Sequence, residues 1–190
     1  MAHDAQRNFC CRVQSVFPRS FVGKRVLDCG SMDVNGTNRG LFVNCEYTGI
    51  DLAEGENVDQ VCLIEEYLPG QLEIYDTIIC TEVFEHDKRL EQSVKRIVEL
   101  LKPDGLFLFT CAANGRPEHG TVANDPDASP GTAAREGWQD FYRPLSINQA
   151  IEIGRAFKRF AAEIDRDHHD LYFWGKGLNQ SPGSNRYHSG

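Results

Sequence analysis

Apolar residues along the chain occur in short runs separated by segments long enough to form a helix. Five runs have the β-branched and aromatic character of strands, at 25–29, 46–50, 58–62, 74–81 and 105–111. Strand runs that alternate with helix-length segments are typical of parallel βαβ units. The pattern therefore predicts an α/β fold built on a mostly parallel sheet.

Two helices are predicted in the first 101 residues. Apolar residues recur at helical spacing over 5–17, and the helix should end there because the residue before Pro18 is disfavoured in the helical conformation. Lys88–Leu101 carries a single apolar stripe, and Asp87 is placed to cap its N-terminus. Pro103–Gly105 should then turn the chain into the fifth strand.

A third helix and a hairpin follow near the end of the chain. Ser146 and Gln149 fit the capping-box pattern, which predicts a helix that runs to about Phe157. Two strands, Phe160–Ile164 and Leu171–Trp174, are joined by a polar stretch and should form a hairpin at the edge of the sheet. We find no internal repeat.

A long segment between the fifth strand and the third helix is rich in glycine, proline, aspartate and alanine. Structureless loops of this length inside a compact domain are usually functional, so we expect the segment 112–145 to cover a site. Residues 1–178 should form a single domain. Residues 179–190 have no apolar period and are expected to be a flexible tail.

Charge and composition exclude several classes of function. Lys and Arg total 20 against 28 Asp and Glu, a net charge of -8, and the basic residues are scattered, so we expect no nucleic-acid partner. The first residues are polar, and the longest apolar runs are far shorter than the roughly 18 residues that span a bilayer. We therefore expect no secretion signal and no membrane association.

The seven cysteines form an odd number without a CxxC pair, and several lie in strand runs as small apolar residues. We therefore expect neither a disulfide framework nor a zinc site, and a reducing, cytoplasmic setting. The run His168–Asp170 is interpreted as a polar turn, because neighbouring side chains on a strand point to opposite faces. No metal is expected.

A glycine turn follows the first strand in the sequence VLDCGSMDVNG at 26–36. Gly30 lets the backbone pass close to a ligand, and the residues after it can present N–H groups to a carboxylate or phosphate. A dinucleotide fingerprint would need further glycines where Met32 and Asn35 stand. NAD and FAD are therefore disfavoured.

The second strand also ends in an acid, Asp51 in YTGID. A carboxylate at this position, beside the glycine turn, can accept both hydroxyls of a ribose. The turn at Asp28 and Gly30 lacks a diphosphate cradle and suits an amino-acid moiety. S-adenosylmethionine is the ligand that combines the two features.

Four motifs occur in a fixed order: VLDCGSMDVNG, YTGIDLAEGENVD, YDTIICTEVFEHD and LLKPDGLFLFTCA. Together they resemble the class I S-adenosylmethionine-dependent methyltransferases, most of all the methyltransferase type 11 group, over roughly residues 24–112. The resemblance implies a methyl-transferring enzyme with a Rossmann-like, seven-stranded, mostly parallel sheet. It also implies helices on both faces, an antiparallel last strand, and a cofactor at the carboxyl ends of strands one, two and four.

The resemblance assigns the cofactor to residues at those three strand ends. Asp51 matches the family's ribose-binding acid, and Glu82 lies on the sulfonium side. Together with Cys62 the set comprises Asp28, Gly30, Ser31, Asp51, Leu52, Cys62, Thr81 and Glu82. Two positions depart from the family pattern. Met32 replaces a second glycine, and no acid follows strand three, so adenine recognition should rest on backbone groups around Cys62.

Few side chains can act as a base. A sulfonium methyl needs an aligned acceptor, and a hydroxyl acceptor must also lose a proton. Glu85 and His86 follow strand four directly. His119, whose imidazole titrates near neutral pH, could be brought in by the long loop, or could be an exposed loop residue. Asp140 and Tyr142 are further candidates.

These residues favour a methyltransferase that acts on a small molecule or glycan, at a hydroxyl group. His119, Trp138 and Tyr142 combine stacking with hydroxyl contact, although Trp138 could equally anchor the loop. Strand four lacks the Asn/Asp-Pro-Pro-aromatic motif of exocyclic amine methylation, and no Pro-Cys pair exists for attack on cytosine. The alternative is a non-catalytic module that keeps the fold for binding or assembly.

Overall fold

The computed structural model describes residues 4–179. The expected tail therefore lies outside the described residues, except for Asn179. The described chain contains helices α1 (Asp4–Val16), α2 (Leu90–Leu100), α3 (Pro130–Ala134) and α4 (Ile147–Gly154). Its strands are β1 (Arg25–Cys29), β2 (Glu46–Asp51), β3 (Gln60–Val61), β4 (Tyr75–Thr81), β5 (Leu101–Ala112), β6 (Phe157–Asp165) and β7 (Asp170–Leu178).

The described strands form one seven-stranded sheet in the order β3-β2-β1-β4-β5-β7-β6. Strands β1 to β5 are parallel, and β7 is antiparallel to both β5 and β6. The predicted fold class is thereby confirmed, including the antiparallel last strand. Since Cys29 pairs with Ile50 and Cys80, the ends of β1, β2 and β4 lie side by side.

Helices cover both faces of the sheet. On β5, Phe107 and Phe109 point to one face and pack in a cluster with Ile97 of α2, which α4 also joins. Leu108 points to the other face, into a cluster with Phe9 of α1. Successive side chains of a strand point to opposite faces, and in a sheet between two helical layers both sets are buried. This explains why the strand runs are almost continuously apolar.

Three predicted boundaries around α2 and β5 were wrong. Helix α2 begins at Leu90, and Asp87 does not cap it; the Asp87 carboxylate instead accepts the Arg89 N–H at 2.7 Å in the turn before the helix. Strand β5 begins at Leu101, directly after the helix. Pro103–Gly105 form an irregularity within β5, where the pairing register with β4 shifts.

The capping box of α4 is confirmed. The Gln149 N–H donates to Ser146 Oγ at 3.4 Å, and the Ser146 N–H donates to Gln149 Oε1 at 3.0 Å. The helix ends at Gly154, earlier than expected, because Phe157 already belongs to β6 and packs its ring against Gly175 of β7.

The remaining predicted boundaries differ by a few residues. Helix α1 is displaced by one residue from the expected 5–17, and β3 keeps only two of its five expected residues. The hairpin is confirmed, with strands longer than expected. At its turn, His168 Nδ1 lies 2.9 Å from Asp165 Oδ2, so this histidine is part of a polar turn. Within residues 4–179, no helix is long and apolar enough to cross a membrane.

Candidate active site

The turn after β1 is held against two neighbouring segments. Gly30 has a φ of 79°, a left-handed conformation that glycine adopts at little cost. The Gly30 and Ser31 N–H groups donate to the Ile50 carbonyl at 2.8 and 3.1 Å. A Cβ on Gly30 would lie 2.1 Å from Val83 Cγ2, so the turn has no room for a side chain.

Asp51 fixes the same turn from the end of β2. Its Oδ2 accepts the Met32 N–H at 3.0 Å, and its Oδ1 accepts the Leu52 N–H at 2.6 Å. Burial raises the pKa of the Asp51 carboxyl, whereas these N–H donors lower it. Each carboxylate oxygen has a second lone pair, so Asp51 retains acceptor capacity toward a ligand.

A cavity of about 360 Å³ opens beyond this turn. The volume lies within the range of roughly 300–1,000 Å³ typical of small-molecule sites. Eight of the eleven predicted site residues line it: Gly30, Asp51, Leu52, Cys62, Thr81, Glu82, His86 and His119. The structure thus brings the ends of β1, β2 and β4 together with the long loop around one space.

Three predicted site residues lie behind the lining. Asp28 is buried and accepts the Tyr47 hydroxyl at 2.6 Å. Ser31 is 3% exposed, and Glu85 is fully buried with its Oε1 accepting the Ala112 N–H at 3.0 Å. Asp28 and Glu85 hold neighbouring segments through these bonds, and none of the three residues lines the cavity.

Asp28 makes folding stability depend on pH. Burial raises the pKa of its carboxyl to about 7, far above the unfolded value of 3.8, while the Tyr47 hydroxyl opposes this. Between pH 3.8 and about 7, the Asp28 carboxyl is protonated in the folded chain and ionised in the unfolded chain. The free energy of unfolding therefore falls as pH rises through this range.

We expect the Asp28→Asn variant, which cannot titrate, to gain stability relative to wild type from pH 4 to pH 7, by at most about 1.4 kcal/mol per pH unit. Urea unfolding at a series of pH values measures the difference. The exposed Asp104→Asn variant is the control. Parallel curves for wild type and Asp28→Asn would contradict the raised pKa.

Glu82 follows β4 with a φ of 56°, unusual for a residue with a side chain. Its Oε1 accepts the Thr110 hydroxyl at 2.9 Å. Burial, followed by the charge of Asp170, raises the pKa of Glu82 to about 7, and Thr110 and Arg116 oppose the shift. The strained backbone directs a second acid into the cavity wall.

The base candidates converge at the far end of the cavity. One potential ligand atom from each of Glu85, His86 and His119 lies within 4.8 Å of the others, and the Tyr142 ring packs against both histidines. Burial, and then the neighbouring His119, lowers the pKa of His86 to about 4. Burial also lowers the pKa of His119, and burial together with Glu82 raises that of Glu85. Both histidine shifts therefore favour the neutral form of the imidazole.

The long loop is packed and partly helical, so the expectation of a structureless segment was wrong. It contains a 3-10 turn, Pro126–Ala128, and helix α3. A Cβ on Gly131 would lie 2.8 Å from Leu52 Cβ, and one on Gly120 would lie 2.7 Å from His86 Cε1. These two glycines let the loop approach both ends of the cavity closely.

The loop also supplies lining residues that sequence reasoning missed. Arg116 lines the cavity and forms an ion pair with the fully buried Asp170. Trp138, which the sequence had already suggested as a stacking residue, also lines the cavity, whereas Asp140 borders a separate depression. Arg116 could have been predicted from its position, because it is a basic residue a few positions after the end of β5. Helix α1 contributes no described side chain to the lining, although Gln6 hydrogen-bonds to Glu82.

Curated relatives match about half of the chain. The ubiquinone biosynthesis O-methyltransferase of Rattus norvegicus is 26% identical over 95 residues, which are 49% of this chain and 28% of that protein. An uncharacterised methyltransferase of Schizosaccharomyces pombe is 28% identical over 88 residues, 43% of this chain and 31% of that protein. The chain thus spans about a third or less of the length of these relatives.

Solved structures share the fold. The 1,6-didemethyltoxoflavin-N1-methyltransferase of Burkholderia thailandensis, with S-adenosylhomocysteine bound, aligns with a TM-score of 0.64 at 16% identity, covering 93% of this chain and 79% of that one. Phosphoethanolamine N-methyltransferase 2 of Haemonchus contortus, in complex with S-adenosyl-L-methionine, aligns at 0.57 with 15% identity, covering 88% and 53%.

A family model matches the chain and agrees with the resemblance that the four motifs indicated. The model described as a methyltransferase domain matches residues 1–153, most of the chain. The match includes the glycine turn, the acid after β2, the segment after β4 and the long loop. The chain belongs to the methyltransferase domain family, and its predicted resemblance to the class I S-adenosylmethionine-dependent methyltransferases is confirmed.

Proposed function

We propose that this chain transfers a methyl group from S-adenosylmethionine to a hydroxyl of a small-molecule or glycan acceptor. The observation that carries the proposal is one cavity lined by Gly30 and Asp51, from the ends of β1 and β2, and also by His86 and His119, from the segment after β4 and the long loop. Membership of the methyltransferase domain family supports it, as do the cofactor-bound structures that share the fold.

The cofactor is assigned to the strand ends. Asp51 accepts the ribose hydroxyls with its remaining lone pairs, and the turn at Gly30 faces the methionine part. Leu52 and Cys62 border the space for adenine. The Cys62 N–H already donates to the Asp51 carbonyl at 2.9 Å, so the Cys62 backbone offers its carbonyl to the ligand. Thr81 and Glu82 border the space for the sulfonium.

Charge supports a cationic ligand. Asp51 and Glu82 both line the cavity, and Asp28 lies just behind it. The sulfonium and ammonium groups of S-adenosylmethionine are both positive, and their attraction to carboxylates grows as water is excluded. A dinucleotide would instead bring two phosphates to this acidic end.

The transfer itself requires alignment and loss of one proton. The acceptor oxygen attacks the methyl carbon in line with the C–S bond, whose electron pair stays on sulfur to give S-adenosylhomocysteine. The hydroxyl proton must leave the acceptor. This step is assigned to the part of the cavity beside Glu85, His86 and His119, and His119 is the most exposed of the three.

A hydroxyl acceptor is favoured by the loop and by the curated relatives. Trp138 lines the cavity, and Tyr142 packs beside the two histidines. The rat relative is named as an O-methyltransferase. Structures that share the fold are named as nitrogen and carbon methyltransferases, so the fold alone does not select the acceptor atom.

Two measurements test the proposal. Calorimetry should show saturable binding of S-adenosylhomocysteine, and a panel of hydroxyl-bearing small molecules and glycans should show methyl transfer from labelled S-adenosylmethionine. Binding without transfer to any acceptor would favour the non-catalytic module. The absence of both cofactor binding and transfer would overturn the assignment of the cavity.

We expect the loop 112–145 to act as an acceptor-side lid. Because Gly131 rests on Leu52, a bound cofactor should stabilise the closed loop, and S-adenosylhomocysteine should slow tryptic cleavage after Arg135 severalfold. Mass spectrometry of timed digests measures the rate. The Asp51→Ala protein, at a ligand concentration that saturates only wild type, should show no protection. Equal cleavage rates in wild type with and without ligand would show that the loop is packed in one position and does not respond to the cofactor.

A further inference from the structure

Three potential metal ligands meet at the acceptor end of the cavity. Glu85, His86 and His119 each place one ligand atom within 4.8 Å of the other two, and His119 Nε2 lies 4.0 Å from Glu85 Oε1. Ligand atoms around a tetrahedral zinc lie roughly 3.4 Å apart, because each bond to the metal is about 2.0–2.2 Å long. Small side-chain rotations would therefore bring these atoms to coordination distance.

Two atoms of this cluster have no hydrogen-bond partner among the described residues. Glu85 Oε2 and His86 Nδ1 are both buried without a partner at hydrogen-bond geometry, in residues that are 0% and 4% exposed. The His86 ring has one further protein contact, with the backbone of Phe141. Leaving a buried polar atom unsatisfied costs about 1–3 kcal/mol, and an ion or ordered water is a common reason for it. The cluster is thus incomplete as a network of protein groups alone.

The outer hydrogen bonds orient the cluster as they do in metal sites. His119 Nδ1 lies 3.0 Å from the Pro117 carbonyl, which can only accept, so the neutral ring keeps its lone pair on Nε2, toward Glu85. The Ala112 N–H holds Glu85 Oε1 and leaves Oε2 available. Bonds of this kind fix the tautomer and direction of metal ligands.

The geometry points to a divalent cation of the first transition series, such as Zn²⁺ or Mn²⁺, bound by Glu85, His86 and His119. One carboxylate and two imidazoles are a donor set that leaves a further coordination position open. That position faces the cavity, since His86 and His119 line it. If the proposed function holds, the open position would bind the acceptor hydroxyl. This role of the metal rests on the proposed function, whereas metal binding itself does not. The cysteines and the turn at His168–Asp170, on which the expectation of no metal rested, are not part of this cluster.

Cobalt provides a direct test on the untagged, chelator-treated full chain. Titration with Co²⁺ should produce visible absorption that saturates at one ion per chain, and Zn²⁺ or Mn²⁺ should displace it. His119→Ala, a loop variant, should weaken cobalt binding by more than the ten- to hundredfold typical of losing an outer partner. Glu85→Gln should do the same, and circular dichroism should verify that both variants are folded.

His168→Ala is the matched control, since this histidine lies in the hairpin turn beside Asp165 and outside the cavity. It should bind cobalt like wild type. No saturable absorption in wild type, or equal losses in His168→Ala and His119→Ala, would overturn the metal site. S-adenosylhomocysteine binding is measured on the same metal-free protein, so failure of the proposed function would show there independently of the metal.

Discussion

Asp51→Ala should weaken S-adenosylhomocysteine binding by roughly a hundredfold or more in a folded protein. A carboxylate that accepts two ribose hydroxyls makes charge-assisted contacts worth about 1.5–3 kcal/mol each. The variant also loses the bonds that hold the Met32 and Leu52 N–H groups, so the turn itself should loosen. Calorimetry measures the affinity, and thermal melting verifies the fold.

Two comparisons separate the ribose contact from the effect on the turn. Asp59→Asn, which changes another acid near the end of β2 that does not line the cavity, should keep wild-type affinity. An S-adenosylhomocysteine analogue without the 2′-hydroxyl should bind wild type more weakly than the natural ligand, yet bind Asp51→Ala about equally. Wild-type affinity in folded Asp51→Ala would remove the ribose assignment.

The fold and the cofactor end were predictable because their signals are local. A strand end, a glycine turn and a second strand end occur within 26 residues, from Val26 to Asp51, and parallel pairing places them side by side. The same holds for the capping box at Ser146, whose partner is three residues away. Both features need only neighbouring residues and the period of the strand.

The rest depended on contacts between distant segments. Arg116 enters the cavity wall because Asp170, 54 residues away, holds it, and Gly131 lies against Leu52 across the site. Glu85 turns inward because the N–H of Ala112, on the neighbouring strand, donates a hydrogen bond to its carboxylate. No local pattern encodes such pairings. The loop therefore resembled an unstructured segment, and the cluster of Glu85 with two histidines could not be seen as one group.

Gly30→Val should abolish detectable cofactor binding and methyl transfer. The structure gives two separate reasons, which are the positive φ of 79° and a Cβ position 2.1 Å from Val83 Cγ2. Gly70 provides a control for the first reason alone, because it has a φ of 84° and a Cβ added there would meet no atom within 4 Å. Gly70→Val should therefore cost some stability and leave cofactor affinity unchanged.

The steric clash between a Cβ on Gly30 and the Val83 side chain can be tested by shortening Val83. Val83 lines the cavity, so Val83→Ala alone should retain most of the affinity for S-adenosylhomocysteine, while Gly30→Ala should lose most of it. In the double variant the clash is relieved and only the backbone strain of about 1 kcal/mol remains, so affinity should return to within roughly tenfold of Val83→Ala. Recovery of this size would locate the cofactor on the turn that Val83 confines. If Gly30→Val instead melts like Gly70→Val and binds the cofactor with wild-type affinity, the turn after β1 does not form part of the cofactor site.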